Sequence, residues 1–206
     1  MAKYDLDTLR HSTAHLMAQA ISRLFPEHHV QFGVGPVIDN GFYYDVETDY
    51  RIKDEDLPKI EAKMLEIIEE KLPIERKVLS KDEALDYFEK EKQHLKVELI
   101  SGFDSEEEIS CYSQGEFIDL CRGPHVETTG DLPKYFKLLH TAGAYWKGSS
   151  DRQMLQRIYA ACFNDKKALK KHLNFLEEAK KRDHRKLGKE LELFHFEPVA
   201  PGSPFS

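Results

Sequence analysis

The sequence predicts an α+β fold: an antiparallel β-sheet packed with helices, followed by a long C-terminal helix. Helical periodicity is confined to a few segments. The alternating, strand-like segments come in neighbouring runs joined by turn residues, so hairpins outnumber β-α-β units. A chain of 206 residues that is 40% apolar and 11% aromatic can also bury a sizeable core.

Residues 7–24 read as an amphipathic helix whose stripe is Leu9, Thr13, Leu16, Met17, Ala20, Ile21 and Leu24, with Pro26 just beyond. His11 and His15 fall away from that stripe, beside Ala18 and Ser22, which predicts that they are not core residues. Residues 34–47 read as a hairpin around Asp39-Asn40-Gly41, because Asn-Gly suits a turn needing positive φ. A second amphipathic helix is predicted over 54–72 and a strand over 74–79. Ser80 with Glu83 forms a capping box opening a helix to about Lys92. His94 to Ile100 alternates like a strand, and Asp104 to Glu108 reads as an acidic loop. Strands are then expected over 110–113, 116–120, 136–146 and 153–163, the last two joined by a turn at 147–151. Asn164 caps a long helix over 165–187, and Gly188 with Pro198, Pro201, Gly202 and Pro204 marks a change of structure.

No apolar run is long enough to span a membrane, and the N-terminus lacks the apolar core of a secretory signal. Three scattered cysteines argue against a disulfide framework and for a reducing compartment, so the cytoplasm is expected. The net charge of −7 is unevenly spread: residues 165–189 carry ten Lys or Arg against four acids, +6 locally, on a remainder of −13. Such a helix is either a nucleic-acid contact or a solvated face of mixed charge.

Two short patterns carry chemistry. His11-x-x-x-His15 puts two imidazoles one above the other on a helix, and Cys121-x-x-x-His125 brackets a Gly-Pro turn. Brought together, the four could ligate Zn²⁺ tetrahedrally, or the imidazoles could position and deprotonate a water without metal. Each pair alone is weak: exposed histidine pairs are common on helices, and cysteine is often a small buried hydrophobe. Gly33-x-Gly35 is followed by Pro36 and makes no dinucleotide loop, and neither a P-loop nor a G-x-S-x-G elbow is present.

Five runs resemble the editing domain of bacterial threonyl-tRNA synthetases: His11-Ser-Thr-Ala-His15, the segment Gly35 to Asp45, Asp119-Leu-Cys-Arg-Gly-Pro-His125, Thr141 to Trp146 and Met154 to Tyr159. The resemblance implies an editing domain over 1–163 and a linker helix over 164–188. Residues 189–206 then resemble the start of a class II catalytic domain, whose ATP and Zn²⁺ sites and homodimer contacts lie outside this sequence. The implied activity is hydrolysis of serine from mischarged tRNA(Thr), with the tRNA acceptor end and the seryl group as partners and no membrane. By the same resemblance His11 and Lys96 position and activate the water, while His15, Cys121 and His125 line the pocket. Asp119, Tyr43 and Tyr44 hold the seryl group and terminal adenosine. The related alanyl editing proteins hold zinc with this four-residue pattern, whereas the threonyl branch is expected to use no cofactor for editing. Read from the residues alone, Lys96 is an exposed strand lysine, Asp119 a turn residue and Tyr44 core packing. The alternatives are a freestanding deacylase, a non-catalytic RNA-binding module using the basic helix, and a structural zinc domain.

Overall fold

The computed structural model describes residues 3–104 and 107–182, with the backbone of 195–196 and 204–205. They fall into two compact units, Met1–Asp165 and Lys166–Ser206. In the first, helix α1 (Leu6–Leu24) starts at Asp5, whose carboxylate accepts from the Thr8 N–H at 2.8 Å. Strands β1 (Gln31–Phe32) and β2 (Val37–Ile38) lie along one edge of β3 (Gly41–Glu47), on whose other edge β8 (Met154–Cys162) and then β7 (Phe136–Tyr145) continue the antiparallel sheet. Asn40, at φ 66°, makes the tight β2–β3 turn.

Helix α2 (Leu57–Glu70) buries Leu57, Ile60, Met64, Ile67 and Ile68, the face its periodicity predicts. A second antiparallel sheet follows, β4 (Ile74–Leu79), β5 (Ile109–Gln114) and β6 (Phe117–Leu120), with α3 (Lys81–Lys90) and α4 (His94–Ser101) inserted between β4 and β5. The Ser80–Glu83 capping box is formed at α3. The strand expected at His94–Ile100 is instead α4. Its alternation is incidental: Leu95 with Leu99 and Lys96 with Ile100 are also spaced by four, and eight residues are too few for the period to decide. The Gln31 side chain settles the start by accepting from the His94 N–H at 2.7 Å.

The main core lies where α1 and α2 cover the face of the first sheet carrying Phe42, Tyr44, Val46, Ile158 and Ala160. A smaller core of Ala84, Phe88, Ile100, Ile109 and Cys111 joins α3 and α4 to the second sheet. Helix α1 packs on the first sheet and on α2 and meets the second sheet through Gln19, which donates to the Gln114 carbonyl, and His15, beside Phe117. Thr8 to Ile21 is buried except at His11. The second unit contains α5 (Lys166–Lys181), with no buried residue, and a short antiparallel pair, β9 (His195–Phe196) and β10 (Pro204–Phe205). Residues 183–187 of the expected 165–187 helix, and the Gly/Pro-rich end apart from β10, lie outside the described residues.

Candidate active site

The site forms where α1, α4, β3 and the segment after β6 meet. His11 and His15 point the same way from α1, with ring centroids 5.3 Å apart. Their surroundings differ: His11 keeps partial exposure, whereas His15 is buried. The expectation that both histidines lie off the core therefore fails for His15. Amphipathicity assumes one wet face, and α1 has almost none.

The second arm turns sharply after β6. A cis Gly123–Pro124 bond and Gly123 at φ 75° bring His125 back beside Cys121. A Cβ at Gly123 would stand 2.3 Å from the Tyr112 hydroxyl, so glycine is required there by space as well as by backbone angle. The two arms meet. Cys121 Sγ lies 3.0 Å from His11 Nε2 and 3.1 Å from His125 Nε2, and accepts from the Gly123 N–H at 3.2 Å. His125 packs against His15, ring centroids 4.3 Å apart, and against Tyr112 at the same distance.

Beside this cluster is a buried polar set. Lys96 Nζ pairs with Asp119 Oδ1 at 2.6 Å, and their side chains are only 3% and 2% exposed. It also donates to the Gly33 carbonyl at 2.8 Å and approaches the Tyr44 hydroxyl at 3.4 Å. Tyr44 in turn donates to Asp119 Oδ2, and the Leu120 N–H to Oδ1 at 2.8 Å. The Gly33 carbonyl is available because the backbone between β1 and β2 departs from regular pairing with β3. Gly35 is needed there too, since a Cβ would come within 2.4 Å of the Tyr44 ring. With three acceptors around it, the Lys96 ammonium is a fixed positive charge.

A cavity of about 250 Å³ opens onto His11, His15, Tyr44, Lys96 and Cys121. Its apolar wall includes Val34, Leu99, Phe103 and Ile109, and Glu107, Glu108 and Arg122 also line it. Burial lowers the pKa of all three imidazoles: His11, opposed by Asp119; His15, well below its ordinary value, with His11 and Lys96 adding to the effect; and His125, down to about 2. His15 Nε2 is 3.8 Å from Asp119 Oδ2, but a neutral ring makes this a polar contact and not an ion pair. Burial also pushes the Cys121 thiol up to about 11 and Tyr44 well above its usual value. The site holds neutral groups beside one internally paired charge couple.

One donor atom from each of His11, His15, Cys121 and His125 lies within 4.8 Å of every other. Three imidazole nitrogens and one sulfur at that spacing fit a tetrahedral Zn²⁺.

The structure thus gathers His11, His15, Tyr44, Lys96, Asp119, Cys121 and His125. Lys96 is neither exposed nor on a strand. Asp119 sits behind Lys96, lining a separate small cavity of about 90 Å³ rather than the main one. Tyr43 is not brought to the site. It alternates to the opposite face of β3, where Arg157 covers its ring at 3.8 Å and Tyr159 packs beside it. The sequence reading missed Ser12, whose Oγ is 3.0 Å from His125 Nδ1, although it sits inside the His11–His15 run. It also missed Gly33, which acts through its backbone.

Residues 109–159 match the family described as the threonyl and alanyl tRNA synthetase second additional domain. Threonine–tRNA ligase of Carboxydothermus hydrogenoformans is 56% identical over 97% of the chain, and that of Halalkalibacterium halodurans 57% identical over 97%. The Staphylococcus carnosus ligase is 58% identical over 92%. The chain matches the editing-domain region of bacterial threonine–tRNA ligases. It spans about a third of the length of these relatives, 31%, 31% and 28% respectively. No helix among the described residues is long and apolar enough to cross a membrane.

Proposed function

We propose that this chain hydrolyses the ester of mischarged Ser-tRNA(Thr), as the editing domain of a threonine–tRNA ligase. The observation that carries the reading is the convergence of His11, His15, Cys121 and His125 on one cavity beside the buried Lys96–Asp119 pair. Serine lacks one methyl group of threonine, and a binding pocket rejects the smaller analogue by only about 10–200-fold. A second cavity that admits serine and excludes threonine removes what the first lets through.

The reaction is ester hydrolysis. Water attacks the seryl carbonyl carbon, the bond to the terminal ribose oxygen breaks, and that oxygen leaves with a proton as hydroxyl. His11, neutral and the partly exposed member of the α1 pair, is the group to hold the water and take its proton. Lys96 presents a positive charge that Asp119 and Gly33 keep in place, next to where negative charge develops on the carbonyl oxygen. Tyr44 shapes the floor of the cavity, and Asp119 acts by holding Tyr44 and Lys96 rather than by touching the seryl group. If Zn²⁺ is held by His11, His15, Cys121 and His125, it supplies a Lewis acid and fixes the four side chains.

The proposed organisation is an editing domain over 1–163, a linker helix over 164–188, and the opening of a catalytic domain over 189–206. A cytoplasmic setting follows, with the parent enzyme a homodimer whose ATP and Zn²⁺ sites lie in the catalytic domain. The test is direct. Incubated with Ser-tRNA(Thr) and Thr-tRNA(Thr), the chain should release serine and spare threonine, and His11→Ala should lower serine release by roughly 100-fold or more. Equal loss of both esters, or unchanged release by the variant, overturns the reading.

A further inference from the structure

Ser12 is fully buried between the two histidines of α1. Its Oγ is 3.1 Å from the Val126 N–H and 3.0 Å from His125 Nδ1, and among the described residues these are its side-chain hydrogen-bond partners. An amide N–H can only donate, so Oγ accepts from Val126. The single hydroxyl proton then has one acceptor within reach, His125 Nδ1, and a buried hydroxyl proton is costly to leave unpaired. This fixes the tautomer: a neutral His125 that accepts at Nδ1 carries its proton on Nε2, facing Cys121 Sγ at 3.1 Å. The sulfur accepts from that Nε2–H and from Gly123, leaving its own proton to point at His11 Nε2, 3.0 Å away.

We propose that, in the metal-free chain, Ser12 is a positioning residue that sets the direction of a hydrogen-bond chain from Val126 through His125 and Cys121 to His11. A metal on these side chains would displace the protons on His125 Nε2 and Cys121 Sγ. The chain leaves His11 Nε2 without a proton, facing only a thiol, which is a weak donor that a water displaces. His11 is thereby held in the form that can accept a proton from water. Ser12 acts through His125 and Cys121 and touches no substrate. Its effect on rate rests on the deacylation reading above, whereas the tautomer does not.

The experiment uses the full chain, treated with chelator, with ¹⁵N-labelled histidine. Long-range ¹H–¹⁵N NMR should show His125 as the Nε2–H tautomer and His11 as the Nδ1–H tautomer. Ser12→Ala should convert His125 to a mixture of tautomers. On Ser-tRNA(Thr) it should lower kcat by roughly 10- to 100-fold with KM unchanged. Finding His125 as Nδ1–H in the wild-type chain overturns the proposal, as does a single unchanged tautomer in folded Ser12→Ala. If Ser12→Ala does not fold, the wild-type tautomers decide alone. If the wild-type chain releases no serine, the deacylation reading fails while the NMR result still judges the role of Ser12.

Discussion

Lys96 and Asp119 are both withdrawn from water and pair at 2.6 Å, with Tyr44 and Gly33 completing their contacts. Removing one partner strands the other as an uncompensated buried charge. Lys96→Met or Asp119→Leu should therefore each cost about 3–5 kcal/mol, measured by urea unfolding, and the double variant less than their sum. The histidines make stability depend on pH. His11 and His15 are lowered from 6.5 and His125 to about 2, so below 6.5 the unfolded chain binds protons that the folded chain refuses. Their contribution is complete above 6.5 and declines as pH falls toward about 2. Cys121, raised from 9.0 to about 11, acts at the other end: the unfolded chain loses its proton first, so stability falls between those values. The urea midpoint of chelator-treated protein should thus be flat between about 6.5 and 9 and fall on both sides. A constant midpoint down to pH 5 would show that the imidazoles are not held neutral.

At the scale of elements, the turn from Cys121 to His125 matters most, because it converts a spacing into a site. Gly123 needs positive φ, and a side chain there meets the Tyr112 hydroxyl. Gly123→Val should destabilise the chain by more than about 1 kcal/mol and abolish serine release, even where circular dichroism shows the remaining elements intact. Wild-type activity in that variant would mean that the turn does not set the geometry of Cys121 and His125. Elements with strong local signals were legible in the sequence: α2 through its periodicity, α3 through the Ser80 capping box, and the β2–β3 turn through Asn40. Helix α4 was not. Its local pattern fits either period, and its start depends on Gln31, a distant residue on β1.

Across the whole molecule, charge is segregated, with a net −7 but clustered Lys and Arg in α5. If α5 contacts the phosphate backbone of tRNA, Lys170→Glu with Lys171→Glu should weaken tRNA binding and reduce the slope of log K against log salt by roughly 1–2. The hydrolysis of seryl ester at saturating tRNA should stay unchanged. An unaltered slope would make α5 a solvated helix. The sequence by itself determined the fold class, the buried face of α2, the capped start of α3, and the two pairs His11–His15 and Cys121–His125 as candidates for one site, because periodicity, capping and turn residues act within a few positions of chain. Only the tertiary structure decided that His15 is buried, that Tyr43 faces away, that Lys96 lies in a helix against Asp119, and that Ser12 holds His125. Each of these depends on what a distant segment places against the residue, and no local pattern encodes that.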